Sequence, residues 1–181
     1  MVRFELYAAA ESPHGGARRP SNRDLIFVVT TREKIDDFLT KKRLALVGVS
    51  RSPRHFTRVL WREFVKRGYD VVPVNPNMPE LEGRKCYASV AEIAPPVEGA
   101  LIMTAADAAQ QVALDCARAG IRRVWMYRAV GKGAVNPTAV DYCEREGIAV
   151  STGCPFMFLP GAGFPHNLHA WFLKITGSYP K

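Results

Sequence analysis

No apolar run in this chain approaches the roughly 18–20 residues that a membrane-spanning helix requires, so no span is expected. The stretch MVRFELYAAAESPHGG has no basic segment followed by a long apolar one, and no secretory leader is expected from it. Cysteine is sparse. Cys86, Cys116, Cys143 and Cys154 stand at irregular spacings without a C-x-x-C pair, which suits reduced, partly buried thiols better than a disulfide framework. A cytoplasmic location follows as the expectation. No repeat of solenoid period is present, and the G-x-x-x-x-G-K-[ST] spacing of a nucleoside-triphosphate loop is missing; Gly131-Lys132-Gly133 reads as a flexible turn. Neither a Ser/His/Asp order nor paired carboxylates fall in the loops where chemistry is expected, so no catalytic residue is nominated.

What is present is enough apolar material for a core. The 181 residues, 48% of them hydrophobic, fit one domain with some excess at the ends and need neither metal nor disulfide to hold together. The net charge is +8, and one segment carries the excess. Between residues 41 and 67 stand Lys41, Lys42, Arg43, Arg51, Arg54, Arg58, Arg62, Lys66 and Arg67 against Glu63 alone. Such focusing favours a polyanionic ligand nearby. Arg62, Lys66 and Arg67 read as a solvated helix face, whereas Arg51 and Arg54 fall in a loop.

Residues 1–31 read as a poorly defined extension, with one short strand at VRFELY, an apolar LIFVV, and Thr30-x-x-Glu33 as a capping box for a helix through Phe38. From there apolar runs alternate with helical periods. Strands are expected at Leu44–Val47, Val71–Val74, Ala100–Met103, Val124–Met126 and Ile148–Val150. Between them Phe56, Val59, Leu60 and Phe64 recur at helical spacing, Ser89-x-x-Glu92 caps a short helix, Ala108, Val112, Cys116 and Ala119 line another, and Asn136-Pro137 opens a fourth. This order predicts an α/β fold of Rossmann type: a doubly wound, mostly parallel sheet of about five strands with helices on both faces. Residues 32–156 form that domain, and 157–181 an aromatic loop and helix carrying Leu168, Trp171, Phe172 and Ile175.

In such sheets ligands bind beyond the carboxyl ends of the strands, where strand order reverses. The first of those loops is G-V-S-R-S-P-R-H, Gly48 to His55. Gly48 permits a sharp turn after Val47, Ser50 and Ser52 offer hydroxyls, and Arg51 and Arg54 offer planar cationic donors, with Val49 and Pro53 between them. A phosphate there also meets the amides at a helix N-terminus. The plainer alternative is that Gly48 only ends a strand and Ser52-Pro53 only starts a helix. The second strand ends in Val74-Asn75-Pro76-Asn77, without the acidic residue and the later glycines of a G-x-G-x-x-G nicotinamide site; Asp70 lies at the wrong end. Amides and arginines without a carboxylate suit a ribose that already carries phosphate.

LALVGVSRSPRHF, VVPVNPN, LEGRKCYASVAEI, T-A-A-D at 104–107, AGIRRVWM and GIAVSTGCP, taken in order over about residues 32–156, resemble the small stand-alone CoA-binding domain proteins. These are similar in turn to the N-terminal domain of the succinyl-CoA synthetase alpha subunit. The resemblance implies coenzyme A or an acyl-CoA as ligand. Its phosphates would lie at Gly48, Ser50, Arg51, Ser52 and Pro53, and its adenosine near Val74, Asn75, Pro76 and Asn77. The pantetheine side would face Thr104, Ala105, Cys154 and Pro155. The synthetase's phosphorylated histidine belongs to a second domain; His14, His55, His166 and His169 have no matching context, so ligase activity is not implied.

Cys154 is either a thiol poised beside the ligand or a small residue packing at a strand end. His166 and His169 lie on one helical face but lack a third ligand, so no metal is expected. The resulting expectation is a carrier, sensor or regulatory module for a small-molecule nucleotide, without catalysis of its own. An NADP-dependent oxidoreductase or another nucleotide-binding Rossmann protein is the alternative. Nucleic acid ranks last, since no reading helix is evident. A homodimer or a partner enzyme is compatible with the aromatic C-terminal helix.

Overall fold

The computed structural model describes residues 30–128 and 133–159. The strand read at VRFELY, the apolar LIFVV, the histidines at 14, 166 and 169, most of the Gly131–Gly133 turn, and the aromatic helix near Trp171 lie outside the described residues.

Five parallel strands, β1 (Arg43–Val47), β2 (Asp70–Val74), β5 (Gly99–Ile102), β6 (Arg123–Tyr127) and β7 (Ala149–Gly153), form one sheet in the order β2-β1-β5-β6-β7. The chain therefore winds outward from β1 to β2 and then resumes on the other side of β1 with β5. Each central strand is apolar along its length because both faces are covered. In β1, Leu44 and Leu46 face one cluster while Ala45 and Val47 face the other. α1 (Arg32–Thr40) and α2 (Phe56–Lys66) cover the first face through Ile35, Phe38, Leu60, Trp61 and Phe64. α3 (Ala106–Arg118) and α4 (Pro137–Arg145) cover the second through Ala109, Ala113, Cys116, Ala139, Val140 and Cys143. The side chains that α3 and α4 bury are mostly small, whereas those that α1 and α2 bury are larger. Trp125 is fully buried on the first face, edge-on to Phe38 at 5.4 Å between ring centroids, with its indole N–H donated to Gly153 O at 3.0 Å.

Local chemistry explains most boundaries. Asn136 caps α4 by accepting from the amides of Thr138 and Ala139, with Pro137 in the first turn. Ser89 caps a single 3₁₀ turn at Val90–Glu92 rather than an α-helix. The capping box at α1 is displaced by one residue: Thr31, not Thr30, accepts from Lys34 N at 3.3 Å. Thr30 is drawn instead to the outermost strand of the described sheet. Its hydroxyl accepts the Thr152 amide at 2.8 Å and lies 2.8 Å from the Thr152 hydroxyl, in a site where Thr30 is 4% exposed. Replacing Thr30 with valine keeps the shape but strips a buried amide and hydroxyl of their partner. The expected cost is about 1–3 kcal/mol, read as a lower denaturation midpoint at unchanged slope. An unchanged midpoint would show that water satisfies Thr152 equally well.

The turn-rich NPNMPELEG also holds a feature that the sequence pattern did not signal. β3 (Glu80–Leu81) and β4 (Arg84–Lys85) pair antiparallel across a two-residue turn, with Glu82 at φ +47° and Gly83 at φ +78°. Glutamate is an unusual occupant of that left-handed conformation, which is why Glu82-Gly83 does not read as a hairpin turn.

Candidate functional site

The reversal of strand order between β1 and β5 opens a crevice at the carboxyl edge of the sheet. Gly48 forms its floor. The residue adopts φ +89°, and a Cβ there would lie 3.0 Å from the Met103 carbonyl carbon, the Thr104 amide nitrogen and Thr104 Cγ2. Conformation and close approach of the two loops both demand glycine.

Beyond Gly48 the loop is tied into the start of α2. His55 caps the helix, its Nδ1 accepting from Thr57 N at 3.3 Å and lying 3.0 Å from the Thr57 hydroxyl. That hydroxyl in turn accepts from Ser50 N at 2.9 Å, and Ser50 Oγ accepts from Ser52 N at 3.1 Å. The Ser50 and Ser52 amides are thus engaged within the loop. Among the described residues the Val49 and Arg51 amides take no hydrogen-bond partner. At the end of β2, Asn75 donates from Nδ2 to Val49 O at 2.7 Å and accepts from Asn77 N at 2.8 Å, so one side chain joins two loops.

These contacts shape a cleft of about 540 Å³ lined by Gly48, Val49, Ser50, Arg51, Ser52, His55, Asn75 and Asn77. Among the described residues no carboxylate lines it. Arg51 and Arg54 are exposed, and among the described residues neither is engaged in an ion pair. Asp70 sits at the far end of β2, paired with Arg43 and Arg84.

The remaining candidates divide. Pro53 and Pro76 are exposed beside the cleft, whereas Val74 is buried and packs the core at the end of β2. Thr104 adjoins Gly48, and its buried hydroxyl has no partner among the described residues. Ala105 precedes α3 without providing a side-chain cap. Cys154 and Pro155 are buried at the end of β7, where a 3₁₀ turn begins. They lie toward the aromatic group in which Phe56 meets Tyr127 at 5.2 Å and Phe156 at 5.7 Å between ring centroids.

Cys154 is 5% exposed, and burial raises its thiol pKa, opposed by hydrogen bonds from the Phe156 and Met157 backbone. Packing rather than reactivity is the role its surroundings favour. Iodoacetamide at neutral pH is expected to label Cys154 no faster than it labels the core thiol of Cys143, with or without CoA. Rapid, CoA-protected labelling would contradict this. Among the described residues no group of three His, Cys, Asp or Glu side chains could hold a metal, and no helix is long and apolar enough to cross a membrane.

Two residues of this region carry more than the sequence suggested. His55 lines the cleft as well as capping α2. Arg58, which the sequence showed only as one member of the basic segment, is 6% exposed and turns inward behind the loop. The only hint in the sequence is the apolar company of Phe56, Val59 and Leu60, which does not say which way Arg58 points.

A family model described as CoA binding domain matches residues 42–160. The chain is 26% identical over 121 residues to the uncharacterized protein YneT of Bacillus subtilis, covering 66% of this chain and 87% of that one. It is 29% identical over 91 residues to the alpha subunit of an ADP-forming acetate–CoA ligase II of Pyrococcus furiosus. That match covers 50% of this chain but only 20% of the ligase subunit's length. Among solved structures, a hypothetical protein from Pyrococcus horikoshii superposes with a TM-score of 0.64 at 29% identity, over 68% of this chain and 85% of that one.

Proposed function

The chain belongs to the CoA-binding domain family, and from that premise we propose that its cleft holds coenzyme A or an acyl-CoA, as a carrier, sensor or regulatory module acting alone or beside a partner enzyme. One observation carries the reading. The cleft at the strand-order reversal combines unpartnered amides and the exposed Arg51, with Arg54 exposed in the same loop, and among the described residues no carboxylate lines it. A nucleotide bearing a diphosphate and a phosphorylated ribose gains charge-assisted hydrogen bonds there and meets no like charge.

In this arrangement the phosphates occupy the loop from Gly48 to Arg54, and the adenosine lies along Asn75-Pro76-Asn77. The pantetheine arm runs past Thr104 and Ala105 toward Cys154 and Pro155. The buried Thr104 hydroxyl, lacking a protein partner among the described residues, is available to it. The match to one portion of a larger acetate–CoA ligase subunit supports a partner that performs the chemistry.

Titration calorimetry with CoA, acetyl-CoA, NAD and NADP tests the assignment. CoA species should bind with measurable heat, and nicotinamide nucleotides much more weakly. Clear binding of NADP with no response to any CoA species would reverse the ranking in favour of an oxidoreductase.

A further inference from the structure

We propose that Arg58 and Arg62, held by Glu82 on the β3–β4 hairpin, are positioning residues that keep the carbonyl oxygens of the phosphate loop turned away from the ligand before it arrives. The inference rests on the assignment of the cleft to coenzyme A and adds how that site is built.

Every carbonyl from Val49 to Pro53 already has a donor. Val49 O accepts from Asn75 Nδ2 at 2.7 Å, and Ser52 O from His55 N at 3.1 Å. Arg58 donates from one guanidinium nitrogen to Ser50 O at 3.3 Å and Arg51 O at 3.5 Å. Arg62 donates to Pro53 O at 3.2 Å. In a planar trans peptide the C=O and N–H point in opposite directions. Fixing Ser50 O therefore sends the Arg51 N–H the other way, and fixing Pro53 O does the same for the Arg54 N–H. Among the described residues neither amide has a partner. A loop whose oxygens are engaged from behind presents hydrogens to an anion instead of oxygens that would repel it.

The arginines could not do this unsupported. Arg58 is 6% exposed, and a lone guanidinium there would be costly. Glu82 supplies the counter-charge: its Oε1 accepts from Arg58 and twice from Arg62, the latter through Nε at 3.0 Å and a terminal nitrogen at 2.5 Å. Arg62 and then Arg58 hold the Glu82 carboxyl below the usual carboxylate range. The hairpin is itself anchored to the second ligand loop, because Asn75 N donates to Tyr87 O at 2.9 Å just after β4. One surface carboxylate thus joins both sides of the cleft, and the loop is ordered in advance of binding.

The test uses the full chain. Glu82→Gln is isosteric at a side chain that is 35% exposed, so the fold should persist. Arg58→Lys retains charge but cannot reach two carbonyls and Glu82 together. Glu63→Gln, which breaks the Glu63–Arg67 pair on the same helix, is the control. Glu82→Gln and Arg58→Lys should each weaken CoA binding about tenfold. In ligand-free protein they should also speed hydrogen exchange at the amides of Ser50, Ser52 and His55, while the control changes neither. Affinity within twofold of the unaltered chain, with unchanged exchange at those amides, would overturn the proposal. If the unaltered chain bound no CoA the site assignment would fall, and the exchange rates would still decide the role of the arginines.

Discussion

Gly48→Val is expected to remove CoA binding and to destabilise the fold at once. Gly48 adopts φ +89°, a region in which a β-branched residue is strained by about 1–3 kcal/mol. Its side chain would also start 3.0 Å from the Met103 and Thr104 backbone, where nothing flexible can yield. Relief requires the β1 and β5 loops to separate, which withdraws the Val49 and Arg51 amides from the place a phosphate would occupy. Two such charge-assisted bonds, at about 1.5 kcal/mol each, correspond to about a hundredfold in affinity. Gly48→Ala should show the same effects in weaker form. Calorimetric titration and chemical denaturation measure the two losses independently. A valine variant that melts earlier yet binds CoA normally would show that the ligand does not contact this loop.

Replacing Arg51 and Arg54 together with alanine is the second large effect. Both residues are exposed in the loop beyond β1, Arg51 lining the cleft, and among the described residues no carboxylate holds them, so the fold should not notice the change. Binding should notice it. Affinity for CoA is expected to fall about thirtyfold in dilute buffer, less as salt rises, because exposed charges are screened. The diagnostic is the slope of affinity against salt, which should be shallower in the double variant. Equal slopes would mean that these arginines never approach the phosphates. Glu82→Gln, in contrast, should lower affinity with little change in slope, since its effect is on the geometry of the loop.

Much of the architecture was legible because it is written in local chemistry. Apolar runs such as LALV and VVPV are long enough for strands covered on both faces, and Asn136-Pro137 can begin a helix in almost any context. The loop from Gly48 to His55 and the Asn75–Asn77 turn were legible as cleft-lining for a similar reason: strand ends in a parallel sheet define them. Failures occurred where two residues could serve one purpose. Thr30 and Thr31 are equivalent as caps on paper, and only the position of Thr152 on β7 assigns each its partner. Arg58 and Arg62 look alike on a helical wheel, yet one is buried and the other half-exposed. The hairpin was invisible because its turn relies on a glutamate in a left-handed conformation.

By itself the sequence determined the alternation of strands and helices, the glycine after β1, the absence of an acidic residue after β2, and the concentration of positive charge near the first loop. Tertiary structure alone decided which of those charges stay exposed by the cleft and which hydrogen-bond the loop carbonyls, and which thiol and which threonine are used up in packing. The reason is physical: propensity, capping and periodicity act over a few neighbouring residues. Burial and hydrogen-bond partnership, by contrast, depend on groups such as Glu82 and Thr152 that come near only when the sheet is assembled.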